Sequence, residues 1–201
     1  DVVTLPAGKK VRVKGEYKNV FNKELGTPMA TVAVIASGDC DYTLKNELLM
    51  ACLSRTLDMV YLEEVREKEG GTYGVQTVGQ LSRYPKDEAI LQVVFNTDPA
   101  KREKLMEIIM GELQRVAKEG PKEEHLAKVK EGILKQYAVN GKENSYWLSI
   151  LNEYFWYNED MSSNYEQIVN EITMKDVQEF AKKLFDQGNL IEVSMTDETA
   201  N

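Results

Sequence analysis

Histidine and cysteine are scarce in this 201-residue chain, which contains one histidine and two cysteines. Cys40 and Cys52 are too few for a disulfide framework, and together with His125 they make a poor set of ligands for a metal ion. We therefore expect both thiols to be unligated, Cys40 in a loop and Cys52 in the core of a helix. The sequence predicts no metal site within the chain.

Long apolar runs and basic clusters are also missing. No stretch approaches the roughly 18 apolar residues that a membrane-spanning helix needs. The formal net charge is −8, and no stripe of lysine and arginine is present. A nucleic-acid partner is therefore not expected, because phosphate binding requires clustered positive charge. Hydrophobic residues make up 42% of the chain, a composition typical of a globular domain with a substantial core.

Common catalytic motifs are absent as well, namely G-x-S-x-G, the Walker loop, H-E-x-x-H and the inverted H-x-x-E-H. His125 lies at a helix start rich in glutamate, where we expect it to be exposed or to cap the helix. The carboxylate pairs Glu63-Glu64 and Glu123-Glu124 are expected to be solvated surface. The hypothesis of a glycosidase that uses such carboxylates stays open, although nothing in the sequence singles out two opposed acids.

The chain begins at Asp1, without an initiator methionine and without the pattern of a signal peptide. Either a leader has been removed or the chain is part of a longer polypeptide, and we favour the second interpretation. We expect residues 1–10 to be an arm that leads from a preceding domain. Residues 11–201 are expected to form a single α+β domain.

Hydrophobic periodicity predicts the strands of a sheet. Val11, Val13 and Tyr17 alternate with charged residues, which indicates a strand with one solvent-exposed face. Residues 29–36, MATVAVIA, are apolar on both faces and predict a central strand. Three further strands are predicted over residues 72–80, 89–96 and 191–195.

Apolar residues at helical spacing predict the helices. The first predicted helix covers residues 44–66. The second starts at the signature of residues 97–99 and stops at residues 119–121, which open a third that residues 140–141 close. Two more are predicted over residues 144–158 and 165–171. Thr173 and Asp176 resemble a capping box that starts a last helix, which ends near Phe185. Short turns between strands imply antiparallel pairing. The sequence therefore predicts an α+β fold in which helices pack on one face of a mostly antiparallel sheet.

The segment with most information about function is residues 65–75, VREKEGGTYGV. Arg66 falls near the end of the long helix, and Tyr73 opens the next strand after a glycine turn. Both side chains donate hydrogen bonds, and two convergent donors can hold a peptide carbonyl or the oxyanion that it becomes. From spacing alone, structural roles are favoured. Arg66 would then cap helix carbonyls or pair with Glu67 or Glu69, and Tyr73 would be half-buried.

This segment resembles the helix–turn–strand segment in the C-terminal half of insulinase/pitrilysin zinc peptidases, where an arginine and a tyrosine also stand seven residues apart. The similarity continues through residues 95–134, FNTDPAKREKLMEIIMGELQRVAKEGPKEEHLAKVKEGIL, the aromatic helix around Trp147 and the last strand. It covers most of the chain from residue 28 onward. The resemblance implies the fold of a metalloenzyme insulinase-like domain.

The resemblance also implies a function. Such peptidases have two halves, each built of two related α+β domains, and the first domain carries zinc and the H-x-x-E-H motif. This chain would be a substrate-binding C-terminal domain that binds no metal itself. Arg66 would hold a backbone carbonyl of the peptide substrate. Tyr73 would donate a hydrogen bond to the carbonyl that is cleaved. Because the zinc motif is missing, no peptidase activity is expected from this fragment alone.

The partners implied are a peptide substrate and the preceding domains of the same polypeptide, or a partner chain that supplies them. The alternative is a non-catalytic scaffold or partner subunit of the same superfamily. A free-standing hydrolase is a third hypothesis. A bacterial parent could lie in the periplasm or the cytoplasm, and we favour the periplasm.

Overall fold

The structure is a computed structural model and describes residues 14–68 and 72–197; of residues 66–68, 72 and 73 it describes only the backbone. The strands are β1 (Glu16–Lys23), β2 (Ala30–Asp39), β3 (Thr72–Ser82), β4 (Glu88–Thr97) and β5 (Leu190–Asp197). The helices are α1 (Leu44–Tyr61), α2 (Arg102–Glu119), α3 (Glu123–Asn140), α4 (Asn144–Tyr157), α5 (Tyr165–Glu171) and α6 (Met174–Phe185). Two irregular helical segments accompany them, a π-helical one (Leu62–Lys68), called the π segment below, and a short 3₁₀ turn (Pro99–Lys101).

The five strands form one sheet in the order β1-β5-β2-β4-β3. β5, β2, β4 and β3 pair antiparallel, and only β1 and β5 run parallel. The fold is therefore α+β with a mostly antiparallel sheet, as predicted. None of the described helices is both long enough and apolar enough to cross a membrane.

Among the described residues, the first predicted strand agrees with β1 only at Glu16 and Tyr17. We expected a strand from Val11 to Tyr17, whereas β1 covers Glu16–Lys23; residues 11–13 lie outside the described residues. β1 is an edge strand, and all eight of its residues are exposed. Its position is set by pairing with β5 at the other end of the chain rather than by its own alternation. β3, β4 and β5 lie within two residues of their predicted ends, and β2 extends three residues beyond its predicted end.

One face of the sheet forms the core. Val32 and Val34 of β2 are each 1% exposed, whereas their neighbours Ala33 and Ile35 are only partly buried. Buried and partly buried residues alternate in the same way along β4. Because successive side chains of a strand point to opposite faces, this pattern shows that the helices of the described residues cover one face only.

We call the opposite side of the sheet the open face. The strand registers place mostly uncharged residues along it, in rows that run across all five strands, with the charged residues Lys23 and Asp39 at its ends. Each of these residues is partly or fully exposed. Its members are Tyr17, Asn19, Phe21, Thr31, Ala33, Ile35, Gln76, Val78, Gln92, Val94, Asn96, Ile191, Val193 and Met195.

α1 is the central helix of the core. Thr43 caps it, since the Thr43 hydroxyl accepts a hydrogen bond from the backbone N–H of Asn46 at 3.2 Å. α1 packs closely on β3 at Gly79. A Cβ atom at Gly79 would lie 2.5 Å from Sδ and 2.8 Å from Cγ of Met50. Glycine at this position therefore allows the close approach of helix and strand.

Both cysteines are free and buried, as predicted. Cys40 follows β2 in a loop, and Cys52 lies on the buried side of α1. Burial raises the pKa of the Cys52 thiol to about 11. Cys52 therefore behaves as a small apolar core residue rather than as a reactive nucleophile.

The predicted capping box of the last helix is confirmed. The backbone N–H of Asp176 donates to the Thr173 hydroxyl at 3.2 Å, and the backbone N–H of Thr173 donates to Oδ2 of Asp176 at 2.8 Å. These two bonds satisfy donors that the first turn of a helix leaves without partners. They fix the start of α6, which packs on α1 and α2.

The valines of α3 offer a matched test of the core. Val129 is 6% exposed and Val139 is 55% exposed. We expect Val129→Ala to lower the free energy of unfolding by about 2 kcal/mol, because it removes buried methyl groups and leaves a cavity. Val139→Ala should change it by less than about 0.5 kcal/mol. Urea denaturation followed by circular dichroism measures both, and equal effects would show that α3 does not pack as described.

Candidate substrate-binding site

Arg66 lies in the π segment, which follows α1 without a break. The segment is anchored to the core by Val65, which is fully buried. π-helical turns inside helices are rare and occur frequently at functional sites. The backbone at Arg66 therefore departs from the regular helix that the sequence predicted over residues 44–66.

Tyr73 lies at the second position of β3, where the strand is also irregular. Thr72 pairs with Thr97 and Gly74 pairs with Asn96, so the register shifts between Thr72 and Gly74. Tyr73 is thus the extra residue of a bulge. Bulges re-aim a side chain and are common beside active sites.

The π segment and β3 contact each other. Arg66 and Tyr73 therefore lie on adjacent elements, at the point where the chain reverses from helix to strand. Residues 69–71, which make the reversal, are outside the described residues, and so are the side chains of Arg66 and Tyr73. The structure places the backbone of both residues in one region of the molecule.

A carboxylate of α1 fixes β3 beside the helix. The backbone N–H of Thr77 donates to Oδ1 of Asp58 at 2.7 Å. Thr77 is buried and lies four residues after Tyr73 in the same strand. Burial raises the pKa of Asp58 above its usual value, although the hydrogen bonds from Thr77 act in the opposite direction. A partly desolvated carboxylate thus holds the strand that carries Tyr73.

A second polar cluster fixes the π segment to α3. Nε2 of His125 lies 3.0 Å from Oε1 of Glu63, and Nζ of Lys122 lies 3.3 Å from Oε2 of the same carboxylate. An ionised carboxylate only accepts hydrogen bonds, so Nε2 of His125 carries the donated proton. Partial desolvation opposes ionisation of Glu63, but the bonds from Lys122 and His125 prevail and lower its pKa.

This geometry corrects the prediction for His125. We expected an exposed or capping histidine, whereas its side chain is 1% exposed. The first turn of α3 packs His125 inward, against an acceptor that lies 62 positions earlier in the chain. Glu63 is likewise a structural partner rather than plain solvated surface. Glu123 and Glu124 are exposed, as predicted.

No group of three or more histidine, cysteine, aspartate or glutamate side chains within the described residues is placed to hold a metal ion. The described residues therefore do not fit zinc. A cavity of about 430 Å³ lies between α2, α6 and the start of β5. Ala36 and Leu190 line it at the end of the sheet remote from Tyr73, so it is not part of this site.

The sequence model of one protein family, described as "Peptidase M16 inactive domain", matches residues 5–133. This match covers more than half of the chain and includes both Arg66 and Tyr73. The chain belongs to this family. The family assignment confirms the resemblance to the C-terminal domain of such peptidases that the sequence segment around Arg66 and Tyr73 indicated.

Solved structures share the fold of this M16 domain. The periplasmic protease PqqL from Escherichia coli is 16% identical with a TM-score of 0.80, and the match covers 98% of this chain and 22% of that one. A protease from Helicobacter pylori is 18% identical with a TM-score of 0.78, covering 98% and 48%. A peptidase M16 inactive domain from Pseudomonas fluorescens is 16% identical with a TM-score of 0.73, covering 96% and 46%.

The M16 domain therefore spans about a fifth of the first of these chains and about half of the other two. No curated protein sequence matches it.

Sequence reasoning missed the residues that support the site. Apolar residues at helical spacing predicted the helix that carries Asp58 and Glu63. Their hydrogen-bond partners Thr77 and His125 were not predicted, because they are remote in sequence. No local pattern predicts which strand or helix end will reach a given carboxylate. The glycines between Arg66 and Tyr73 predicted that the helix gives way to a strand there, but nothing in the sequence predicted the π segment or the bulge.

The role of Asp58 is testable through stability. Asp58→Ala removes the acceptor for the Thr77 N–H, and we expect it to lower the free energy of unfolding by about 1–3 kcal/mol. Asp58→Asn keeps an oxygen acceptor and is the matched control. Denaturant unfolding of the three proteins measures the difference, and equal stability of the alanine and asparagine variants would contradict the role.

The raised pKa of Asp58 predicts how the stability of the fold changes with pH. The folded state raises the pKa of Asp58, so it holds this proton more tightly than the unfolded chain does. Stability from this group is therefore greatest below the unfolded pKa and is lost as pH rises through the raised folded pKa. The native chain should lose stability relative to Asp58→Asn over that range.

Proposed function

We propose that this M16 domain is the substrate-binding domain of a zinc endopeptidase, with zinc and its H-x-x-E-H motif on another domain. The observation that carries the proposal is the placement of Arg66 and Tyr73 on contacting elements, each at an irregular point of the backbone. Membership of the M16 family and the fold shared with proteases support the same class.

The proposed roles follow from the chemistry of the two side chains. The Tyr73 hydroxyl donates a hydrogen bond to the carbonyl oxygen of the bond that is cleaved, and this bond strengthens as negative charge develops on that oxygen. The Arg66 guanidinium offers a planar fork of donors to a neighbouring carbonyl of the substrate backbone. Zinc in the parent protein would polarise the carbonyl and activate water.

Polar anchors suit this proposal, because donors contribute most when they are held in position before substrate binds. The Asp58–Thr77 bond fixes the strand of Tyr73, and the Glu63–His125 bond fixes the segment of Arg66. Both bonds originate from the same helical run, α1 with its π segment. The two donors are therefore carried by backbone that is fixed to a common core.

Tyr73→Phe in the parent polypeptide tests the catalytic role. It removes one hydroxyl and keeps the ring, so we expect kcat for peptide hydrolysis to fall by roughly 100- to 1000-fold, the range for loss of one oxyanion donor. The control is Tyr84→Phe, since Tyr84 is 68% exposed. Unchanged turnover of Tyr73→Phe with an intact fold would remove Tyr73 from the mechanism.

Arg66→Lys tests substrate binding separately. Lysine keeps the positive charge but loses the planar fork, so we expect kcat/KM to fall by about 10- to 100-fold, mainly through a higher KM. Steady-state kinetics on a peptide substrate separates KM from kcat. If the loss fell on kcat alone, Arg66 would act in the transition state and not in holding the substrate.

The alternative is a non-catalytic scaffold or partner subunit of the same superfamily. The description of the family as an inactive domain and the absence of the H-x-x-E-H motif from the sequence favour it as the second candidate. The sequence that precedes Asp1 in the parent distinguishes the two. An H-x-x-E-H motif there, with hydrolysis that a chelator abolishes, supports the peptidase. A parent without the motif, and without a partner chain that carries it, supports the scaffold.

A further inference from the structure

The cavity of about 430 Å³ lies on the helical side of the sheet, away from the strand position of Tyr73. Its walls are the second half of α2, the last turn of α6 and the first residue of β5. Small-molecule sites in proteins have volumes of about 300–1000 Å³. The cavity is therefore large enough to enclose an organic ligand.

The floor of the cavity is apolar and only partly covered. Met110 and Ala117 of α2 are partly buried, whereas the residues that precede them, Ile109 and Val116, are 0% and 1% exposed. Phe185 of α6 is also only partly buried. These side chains pack against the core on one side and line the cavity on the other. A ligand with an apolar body would remove this surface from water, which favours binding.

Charged side chains of both signs surround the apolar floor. They are Lys118 of α2, Lys182 and Asp186 at the end of α6, and Glu16 of β1, and all four are exposed. Lys182 and Asp186 lie one turn apart and form an ion pair with each other. Lys118 and Glu16 form no ion pair with any other described residue. One cation and one carboxylate are therefore available to a ligand.

We propose that this cavity binds a zwitterion with an apolar body, namely an apolar amino acid or a short apolar peptide with free ends. The carboxylate of the ligand accepts a hydrogen bond from Nζ of Lys118, and its ammonium group donates one to the Glu16 carboxylate. The apolar side chain lies on the floor between them.

Other ligand classes fit the four charges less well. A fatty acid would use Lys118 and leave Glu16 beside apolar or negative groups, and an alkylamine would do the reverse. A nucleotide or another polyanion would meet two carboxylates as well as two lysines, so it would gain little net attraction. Only a ligand that carries one charge of each sign uses both available groups.

The proposed site uses residues that the candidate substrate-binding site does not contain. It therefore does not rest on the proposed function, although short peptides are also products of peptide hydrolysis. Binding can be measured without zinc and without turnover. A failure of the binding experiment would leave the roles of Arg66 and Tyr73 untouched.

Isothermal titration calorimetry of the 201-residue chain with the dipeptide phenylalanyl-leucine tests the ligand class. We expect one site with a Kd between roughly 10 µM and 1 mM, which suits a ligand of about 20 non-hydrogen atoms. Acetylation of the dipeptide removes its ammonium charge, and amidation removes its carboxylate. Each change should raise Kd by about 3- to 10-fold. Free phenylalanine and its two blocked forms, titrated in the same way, show whether the site takes single amino acids.

Charge variants test the two proposed contacts. Lys118→Gln should weaken binding of the dipeptide as much as amidation does, and should leave the Kd of the amidated dipeptide unchanged. Glu16→Gln should act in the same way on the ammonium group, so it should leave the Kd of the acetylated dipeptide unchanged. Lys128→Gln, at an exposed position of α3, is the matched control and should change neither Kd.

A cavity-filling variant tests the location. Ala117→Phe places a ring in the cavity and should abolish measurable binding, whereas Ala127→Phe at an exposed position of α3 should not. Circular dichroism establishes that each variant is folded. The proposal would be overturned by a chain that binds neither the dipeptide nor phenylalanine, by blocked ligands that bind as tightly as free ones, or by binding that survives Ala117→Phe in a folded chain. If that variant does not fold, the two charge variants decide alone.

Discussion

The close packing of α1 on β3 is the constraint on which the rest of this structure depends. Gly79 lets the strand approach Met50 of the helix, and the Asp58–Thr77 hydrogen bond fixes the strand along the helix. Since the π segment is a direct continuation of α1, the same contact brings Arg66 next to the strand of Tyr73. The candidate site is therefore a consequence of core packing and does not need a separate scaffold.

The architecture is one-sided. The described helices cover one face of the sheet and leave the open face, whose residues are mostly uncharged, without a cover. A chain with such a surface gains stability when it is covered, because the hydrophobic effect scales with the apolar area removed from water. The solved structures that share this fold carry it within a longer chain.

Much of the fold was predictable, but the site was predictable only in part. The continuous apolar run of β2 and the apolar stripe of α1 located the central strand and helix, and the capping box at Thr173 located α6 within a residue. The resemblance indicated Arg66 and Tyr73, whose roles stay predictions. The anchors Asp58, Glu63 and His125 were not predicted, and His125 was expected at the surface.

The sequence by itself determined the local elements, because periodicity, caps and glycine stops act between residues a few positions apart. Only the tertiary structure decided which elements meet. β1 is placed by β5, and the Gly15 N–H reaches the Asn189 side chain across 174 positions. Such contacts depend on how the whole core packs, and no single segment encodes them. The same holds for the buried pair Glu63–His125, whose members become partners only once α3 lies against the π segment.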